Sequence, residues 1–359
     1  MIGNRIKLAR EAHGWSLREL EGCIDSLVSA QAIGKYERDE MMPSSKVLLA
    51  LAKALGVSPD FLLSEKDISL EEVDFRKVPA SGARDERSVN AQVLDVAERY
   101  LELESLFPDT MLTWHRPHAA EFRISGVSDA EAAAEKLRSL WKLGTDPIAS
   151  MTELLEDQGI KVIALPLPEP VSGSKAYARL AGGEPVAMIV VNRSHNGERQ
   201  RFTLAHELAH LVLDWKAASD RENEKAADWF AGAFLVARSM LEKVIGRSRT
   251  AITFGELEAV KRVFKVSLAA LVVRLKQLGI ITKGLYGELW EALNKQGLNS
   301  LGAPEPDPIP AEVPNRALRL AFRAIAEGVI SESKAAELLQ IGRRELERLL
   351  DPQPSNQPV

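Results

Sequence analysis

The run Leu204-Ala205-His206-Glu207-Leu208-Ala209-His210-Leu211-Val212-Leu213 holds two histidines four residues apart in an otherwise apolar stretch. On a helix, residues at that spacing lie one turn apart on the same face. Each imidazole can then give one nitrogen to a single zinc ion. Glu207 follows His206 directly and is placed to act as general base toward an attacking water. Ala205, Leu208, Ala209, Val212 and Leu213 would bury the rest of the helix. A catalytic zinc site uses three protein ligands and keeps one position open, so a third ligand is expected from a neighbouring segment. Glu224 opens an amphipathic pattern through Ala227, Phe230, Ala231 and Phe234. Asp228, four residues on, shares its face and can accept the free ring N–H of a ligand histidine, which fixes the tautomer. Glu222, Asp220 and Asp214 compete with Glu224 for the third position. An acidic helix start with no metal role is the alternative for both Glu224 and Asp228.

These residues need a scaffold, and the chain of 359 residues has room for two or three domains. The formal net charge of −5 argues against a surface that grips nucleic acid everywhere, while leaving room for a local basic face. A single cysteine, Cys23, allows neither an intrachain disulfide nor a multi-thiolate metal site, and its apolar helical surroundings predict burial. No run of eighteen apolar residues and no signal-like N-terminus is present, so a cytoplasmic protein without a membrane partner is expected. The fold class expected is mainly α with a small sheet, α+β.

Residues 1–65 read as a separate five-helix unit. Ser16 and Ser29 are N-cap candidates, Gly14 is a helix stop, and Gly56-Val57-Ser58-Pro59-Asp60-Phe61-Leu62-Leu63 closes the segment as a fifth short helix. Ser16-Leu17-Arg18-Glu19-Leu20, Val28 to Arg38 and the closing Leu-Gly-Val-Ser-Pro-Asp-Phe-Leu-Leu together resemble the XRE (Cro/CI-like) helix-turn-helix domain. The resemblance implies a third helix in the DNA major groove, with Gln31 reading an adenine edge and Lys35 or Arg38 on phosphate or guanine. Leu17 departs from the family's usual glutamine, and Asp25-Ser26-Leu27 lengthens the turn before the third helix. Basic and acidic residues are roughly balanced, although phosphate neutralisation carries much of DNA affinity. A helix-turn-helix that docks a protein partner, or a second copy in a homodimer, is therefore kept beside the DNA reading.

Residues 66–130 read as a helical connector centred on Ser88 to Phe107. His115 and His118 within it are taken as surface or packing residues. Residues 131–250 would form the metal-bearing core, with strands at Gly159–Leu165, Tyr177–Leu180 and Pro185–Asn192 ahead of the zinc helix. An edge strand beside that helix could hold a substrate backbone by β-addition, and His195 is taken as a turn residue. Residues 251–297 extend the core as helices, and 298–315 read as a Pro-rich linker. Residues 316–350 form a helix-turn-helix-like cap with Arg343, Arg344 and Arg348 on one face, and 351–359 form a disordered tail.

Trp141 to Ile148, Leu154 to Val162, Val190-Val191-Asn192, Glu198 to His210, and Glu224 to Ala231 look like the ImmA/IrrE family of zinc metallopeptidases over about residues 130 to 290. Glu-x-x-x-Asp after His-Glu-x-x-His is also what the gluzincin class looks like. The resemblance implies one zinc per chain held by His206, His210 and Glu224, with Glu207 as general base. It also implies regulated cleavage of an XRE-type repressor as substrate, in a stress response or in mobile-element control. Tyr177 is offered as a second oxyanion donor. The chain departs from the family at Gly232 to Ala237, which bears on groove packing rather than on the metal. A DNA-binding regulator or antitoxin-like protein, with the peptidase fold as sensor or scaffold, is the alternative.

Overall fold

Serine caps set the first helices in place. Ser16, Ser29 and Ser44 each accept the backbone N–H three residues on, opening α2 (Leu17–Cys23), α3 (Ala30–Glu37) and α4 (Ser45–Leu55). They pack with α1 (Ile2–Ala12) and α5 (Pro59–Leu63) around the buried Ile6, Leu20, Ile33, Leu51 and Leu62. This computed structural model describes residues 2–63, 68–71, 83–169, 171–180, 183–215, 219–299 and 303–351. The chain divides into two units, 1–112 with 177–186 and 315–359, and 113–176 with 187–314. The turn after α2 is long, as expected, and both Asp25 and Ser26 take the left-handed conformation to close it. Cys23 corrects the sequence reading: it is exposed, because Leu20 and Ile24 supply the inward face of α2.

The five-helix domain does not stand apart within its unit. β1 (Ile68–Glu71) leads to α6 (Ala83–Ser105), the helix read as a connector. The buried Arg5 of α1 pairs with the buried Glu98 of α6, and Ser88 Oγ and Gln92 Nε2 both donate to the Ala12 carbonyl. Leu103 and Phe107, at and just past the end of α6, share a core with three helices from the far end of the chain, described below.

The second unit builds the platform for the histidine helix. It begins with α7 (Ala130–Leu140), α8 (Met151–Asp157) and β2 (Lys161–Leu165). β3 (Gly173–Leu180) and β4 (Val186–Asn192) follow, and the sheet order is β1-β3-β4-β2. β2 and β4 run parallel, in register from Lys161 with Met188 to Leu165 with Asn192. The second half of β3 belongs to the first unit, where Tyr177 to Leu180 pair antiparallel with β1. β3 starts four residues earlier than its sequence suggests. Gly173 is the reason: a Cβ there would lie 2.6 Å from both Thr203 Cγ2 and the Val190 carbonyl oxygen, so only glycine lets the strand cross so close.

Next come α9 (Gly197–Val212), α10 (Asp220–Leu235), α11 (Arg238–Ile245), α12 (Phe254–Phe264), α13 (Leu268–Gln277) and α14 (Lys283–Lys295). The segment read as a Pro-rich linker, 298–315, is no linker over its described residues. It crosses the N-terminal end of α9 as a strap. Gly197 is required there, since a Cβ would lie 2.2 Å from the Pro310 carbonyl oxygen. Lys261 Nζ, buried against Glu198, also donates to the Asp307 carbonyl, and the Ile309 amide donates to Glu198. Glu312 accepts from Ser150 Oγ, the Met151 and Thr152 amides at the start of α8, and the buried Arg201 guanidinium of α9. Prolines suit an extended segment held by side chains, carbonyls and a few isolated amides rather than by a continuous ladder, so the composition of a linker and of a strap is the same.

The first unit ends with α15 (Arg316–Ala326), α16 (Glu332–Leu339) and α17 (Arg343–Leu350). The expected tail lies outside the described residues beyond Asp351. No described helix is long and apolar enough to cross a membrane.

Candidate metal centre

The site is assembled by two helices that are neighbours in sequence, α9 and α10, and bury small residues against each other. Ala205, Leu208, Ala209 and Val212 on α9, and Ala226, Ala227, Phe230 and Ala231 on α10, are all buried. Alanine at these positions lets two helix backbones come close enough for short side chains to meet. Further support comes from Glu131 of α7, which binds the buried Arg274 of α13 through both oxygens and also accepts from Trp229 Nε1 of α10.

On the facing surfaces, His206 and His210 come together with Glu224. The two Nε2 atoms are 3.1 Å apart, His206 Nε2 lies 3.3 Å from Glu224 Oε2, and His210 Nε2 lies 3.4 Å from Glu224 Oε1. Two donor atoms each bonded to a tetrahedral zinc at about 2.05 Å lie about 3.3 Å from one another. The three side chains therefore have the spacing such an ion needs. Among the described residues this is the one group of three metal-ligating side chains whose donor atoms converge.

Asp228 Oδ1 lies 2.9 Å from His206 Nδ1. A carboxylate at that distance holds a ring proton on Nδ1, so that Nε2 is the nitrogen turned toward His210 and Glu224, free to bind an ion once its own proton is displaced. Burial by itself would lower the His206 pKa. Hydrogen bonds to Asp228 and Glu224, with the Glu207 charge nearby, outweigh it and push the imidazole up to about 10. This is the electrostatics of a place that calls for a cation.

Glu207 is held from the sheet. Its Oε2 accepts the backbone N–H of Lys175 on β3 at 2.9 Å. Geometry explains why. β3 crosses α9 at Gly173 over Thr203; two residues of strand advance about 6.6 Å and four residues of helix about 6 Å. Lys175 therefore meets the residue four beyond Thr203, which is Glu207. The sequence reading begins this strand at Tyr177 and so does not include the contact; a glycine inside a strand, marking a close backbone approach, was the available signal.

Of the three rival third-ligand candidates, Asp220 is exposed in the first turn of α10 and outside the converging group, and the other two are engaged elsewhere. Glu222 accepts from the amide and hydroxyl of Ser219 in a capping box, and Asp214 pairs with Arg123. His195 sits in the turn after β4 but is buried, with Nε2 3.4 Å from Asn192 Nδ2 and 3.5 Å from Glu169. Tyr177 lies opposite Glu71 in the first unit. Gln31 and Lys35 on α3 and Arg38 at its C-cap are all exposed, and Arg38 is tied to Glu40 by a 2.7 Å ion pair.

Comparison with known proteins adds to this geometry. Residues 155–276 match the model of the IrrE N-terminal-like domain, Peptidase M78, and residues 6–62 match a helix-turn-helix model. Over 63 residues the chain is 38% identical to an uncharacterized HTH-type transcriptional regulator, YonR, derived from the SPbeta prophage of Bacillus subtilis (strain 168). That match takes in 18% of this chain and 56% of YonR. The chain thus joins an XRE-type helix-turn-helix domain at residues 6–62 to an IrrE N-terminal-like domain of the M78 peptidases at residues 155–276.

Proposed function

We propose that this protein is a zinc-dependent endopeptidase that cuts a regulatory protein, an XRE-type transcriptional repressor, and so relieves repression in a stress response or in mobile-element control. The observation that carries this reading is the triangle of His206, His210 and Glu224 donor atoms with Glu207 fixed beside it. His206 Nε2, His210 Nε2 and one oxygen of Glu224 would hold the ion. Zinc, when bound, supplies Lewis acidity toward a water and a peptide carbonyl. Glu207, anchored through Oε2, takes the proton of the attacking water on Oε1 and returns it to the leaving amine. Asp228 keeps the His206 proton on Nδ1 throughout.

The helix-turn-helix domain recruits the substrate, by binding the same operator DNA or by taking the place of the repressor's own partner. The prophage origin and regulator description of YonR support the setting of mobile-element control. The test has two parts. The first is the zinc content of the wild type beside Glu224→Ala, with about one ion per chain lost in the variant. The second is cleavage of XRE repressors by the wild type beside Glu207→Gln, which should keep the metal and lose the cut. A Glu207→Gln protein that still relieves repression in cells would replace this reading with that of a DNA-binding regulator using the fold as sensor or scaffold.

A further inference from the structure

The last two helices carry a pattern that the peptidase reading does not use. α16 and α17, eight residues each, are joined by Gln340-Ile341-Gly342. Gln340 takes the left-handed conformation, φ 53 and ψ 38, and the Ile341 amide returns to the Ala336 carbonyl, which turns the chain sharply. Ala335, Ala336, Leu338 and Leu346 are buried in one cluster, with Leu339 and Ile341 packed against it. Two short helices, a three-residue turn and apolar residues on both sides of it make a helix-turn-helix. α15 completes the bundle through Leu320, Ala321 and Ala324.

α17 is built to protrude. Leu346 is its one buried residue, and Arg343, Arg344, Glu347 and Arg348 are all exposed. Arg343 is engaged by Glu347 at 3.2 Å. Arg344 and Arg348, four apart, lie one turn apart on the same face. In a helix-turn-helix this is the helix that enters the major groove, with its first residues at the base edges. By comparison, α3 has its Arg38 tied to Glu40.

We propose that α16 and α17 form a second DNA-reading head, with Arg344 and Arg348 contacting phosphates or guanine edges. The occupant is duplex DNA because Arg344 and Arg348 stand opposite the buried Leu346, at the centre of the exposed face between Glu345 and Glu347, and the shape is that of a groove-reading helix. The head is fixed within the same unit as the first one. Ser58 Oγ at the start of α5 donates to Glu337 Oε1 of α16 at 2.9 Å. Gln340 Nε2 donates to Asp95 of α6 at 3.0 Å, and Lys334 pairs with Glu102 at 3.2 Å. α6 also holds α1 of the first head through Glu98. One chain therefore carries two helix-turn-helix heads bolted to one helix, and its DNA site is bipartite.

The experiment uses the full chain. Duplexes are selected from a random pool with the wild type, and the winner is footprinted with wild type, Arg344→Ala/Arg348→Ala and Gln31→Ala/Lys35→Ala. The expected result is a two-part footprint. The arginine variant loses one part, binds at least about tenfold more weakly, and shows a log–log salt slope smaller by about two. The α3 variant loses the other part. Both changed arginines are exposed, so unchanged helicity and melting midpoint exclude a folding defect. An arginine variant with the wild-type footprint, affinity and salt slope overturns the proposal, as does failure of the wild type to select any duplex. Unchanged DNA binding with loss of a protein partner would make α17 a protein-docking face and would equally overturn it.

Discussion

Replacing Glu312 by alanine should destabilise the peptidase domain, although the residue lies in a stretch that reads as a linker. Its carboxylate is buried and takes four donors: Ser150 Oγ, the Met151 and Thr152 amides, each at 3.0 Å, and the Arg201 guanidinium. Removing it leaves Arg201 as a buried charge without its partner and uncovers two amides at the start of α8. Loss of one partner of a buried pair costs about 3–5 kcal/mol. For a domain of this size each kcal/mol moves the melting midpoint by about 2–4 °C, so a fall of about 6–20 °C follows. Scanning calorimetry of the full chain reads it directly. The double variant Glu312→Ala/Arg201→Met should recover much of the loss, because no charge is then stranded. The same pair predicts acid sensitivity. Burial raises the Glu312 pKa, but the Arg201 charge and the two amides outweigh it and hold it below the usual carboxylate range. A depressed folded-state pKa contributes stability above about pH 4.5 that is lost as pH falls through the lower folded value. A Glu312→Ala midpoint within about 2 °C of wild type would refute the strap as a structural element.

Three further outcomes test the metal centre. Asp228→Ala should weaken zinc binding about tenfold, the low end for an outer partner of a ligand histidine, because the Asp228 side chain is 57% exposed. Asp228→Asn, which can still accept from Nδ1–H, should lose less; competition with a chromophoric chelator measures both, and equal affinity of Asp228→Ala and wild type would refute the tautomer role. Zinc affinity of the wild type should rise about tenfold per pH unit up to about pH 10, because the ion displaces the proton that His206 otherwise keeps. Correspondingly, the stability that charged His206 gives the metal-free protein is complete below about pH 6.5 and lost as pH rises through about 10; a flat zinc affinity between pH 6 and 9 would contradict this. Gly173→Ala should lower kcat with zinc content intact, because the strand must move off Thr203 and takes the Lys175 amide away from Glu207; unchanged turnover in this variant would show that β3 does not position Glu207.

The histidines, Glu207, Glu224 and Asp228 were legible from sequence because the helix repeat is local: spacings of four residues put side chains on one face whatever surrounds them. The serine caps and the long turn of the first domain were legible for the same reason, since a cap is decided within three residues. The exposure of Cys23 was missed by one helical position, within the usual error of reading a short amphipathic pattern. What lies between elements was not legible. Lys175 reaches Glu207 through a backbone amide, which every residue but proline carries, so its type signals nothing. Glu312 and Arg201 are 111 residues apart, and neither neighbourhood shows that they meet. The connector helix became part of the first unit through one buried ion pair and a shared core. Sequence periodicity therefore determined which residues share the faces that converge at the candidate site, while tertiary structure decided what anchors them, because anchoring depends on contacts between distant segments whose register no local pattern encodes.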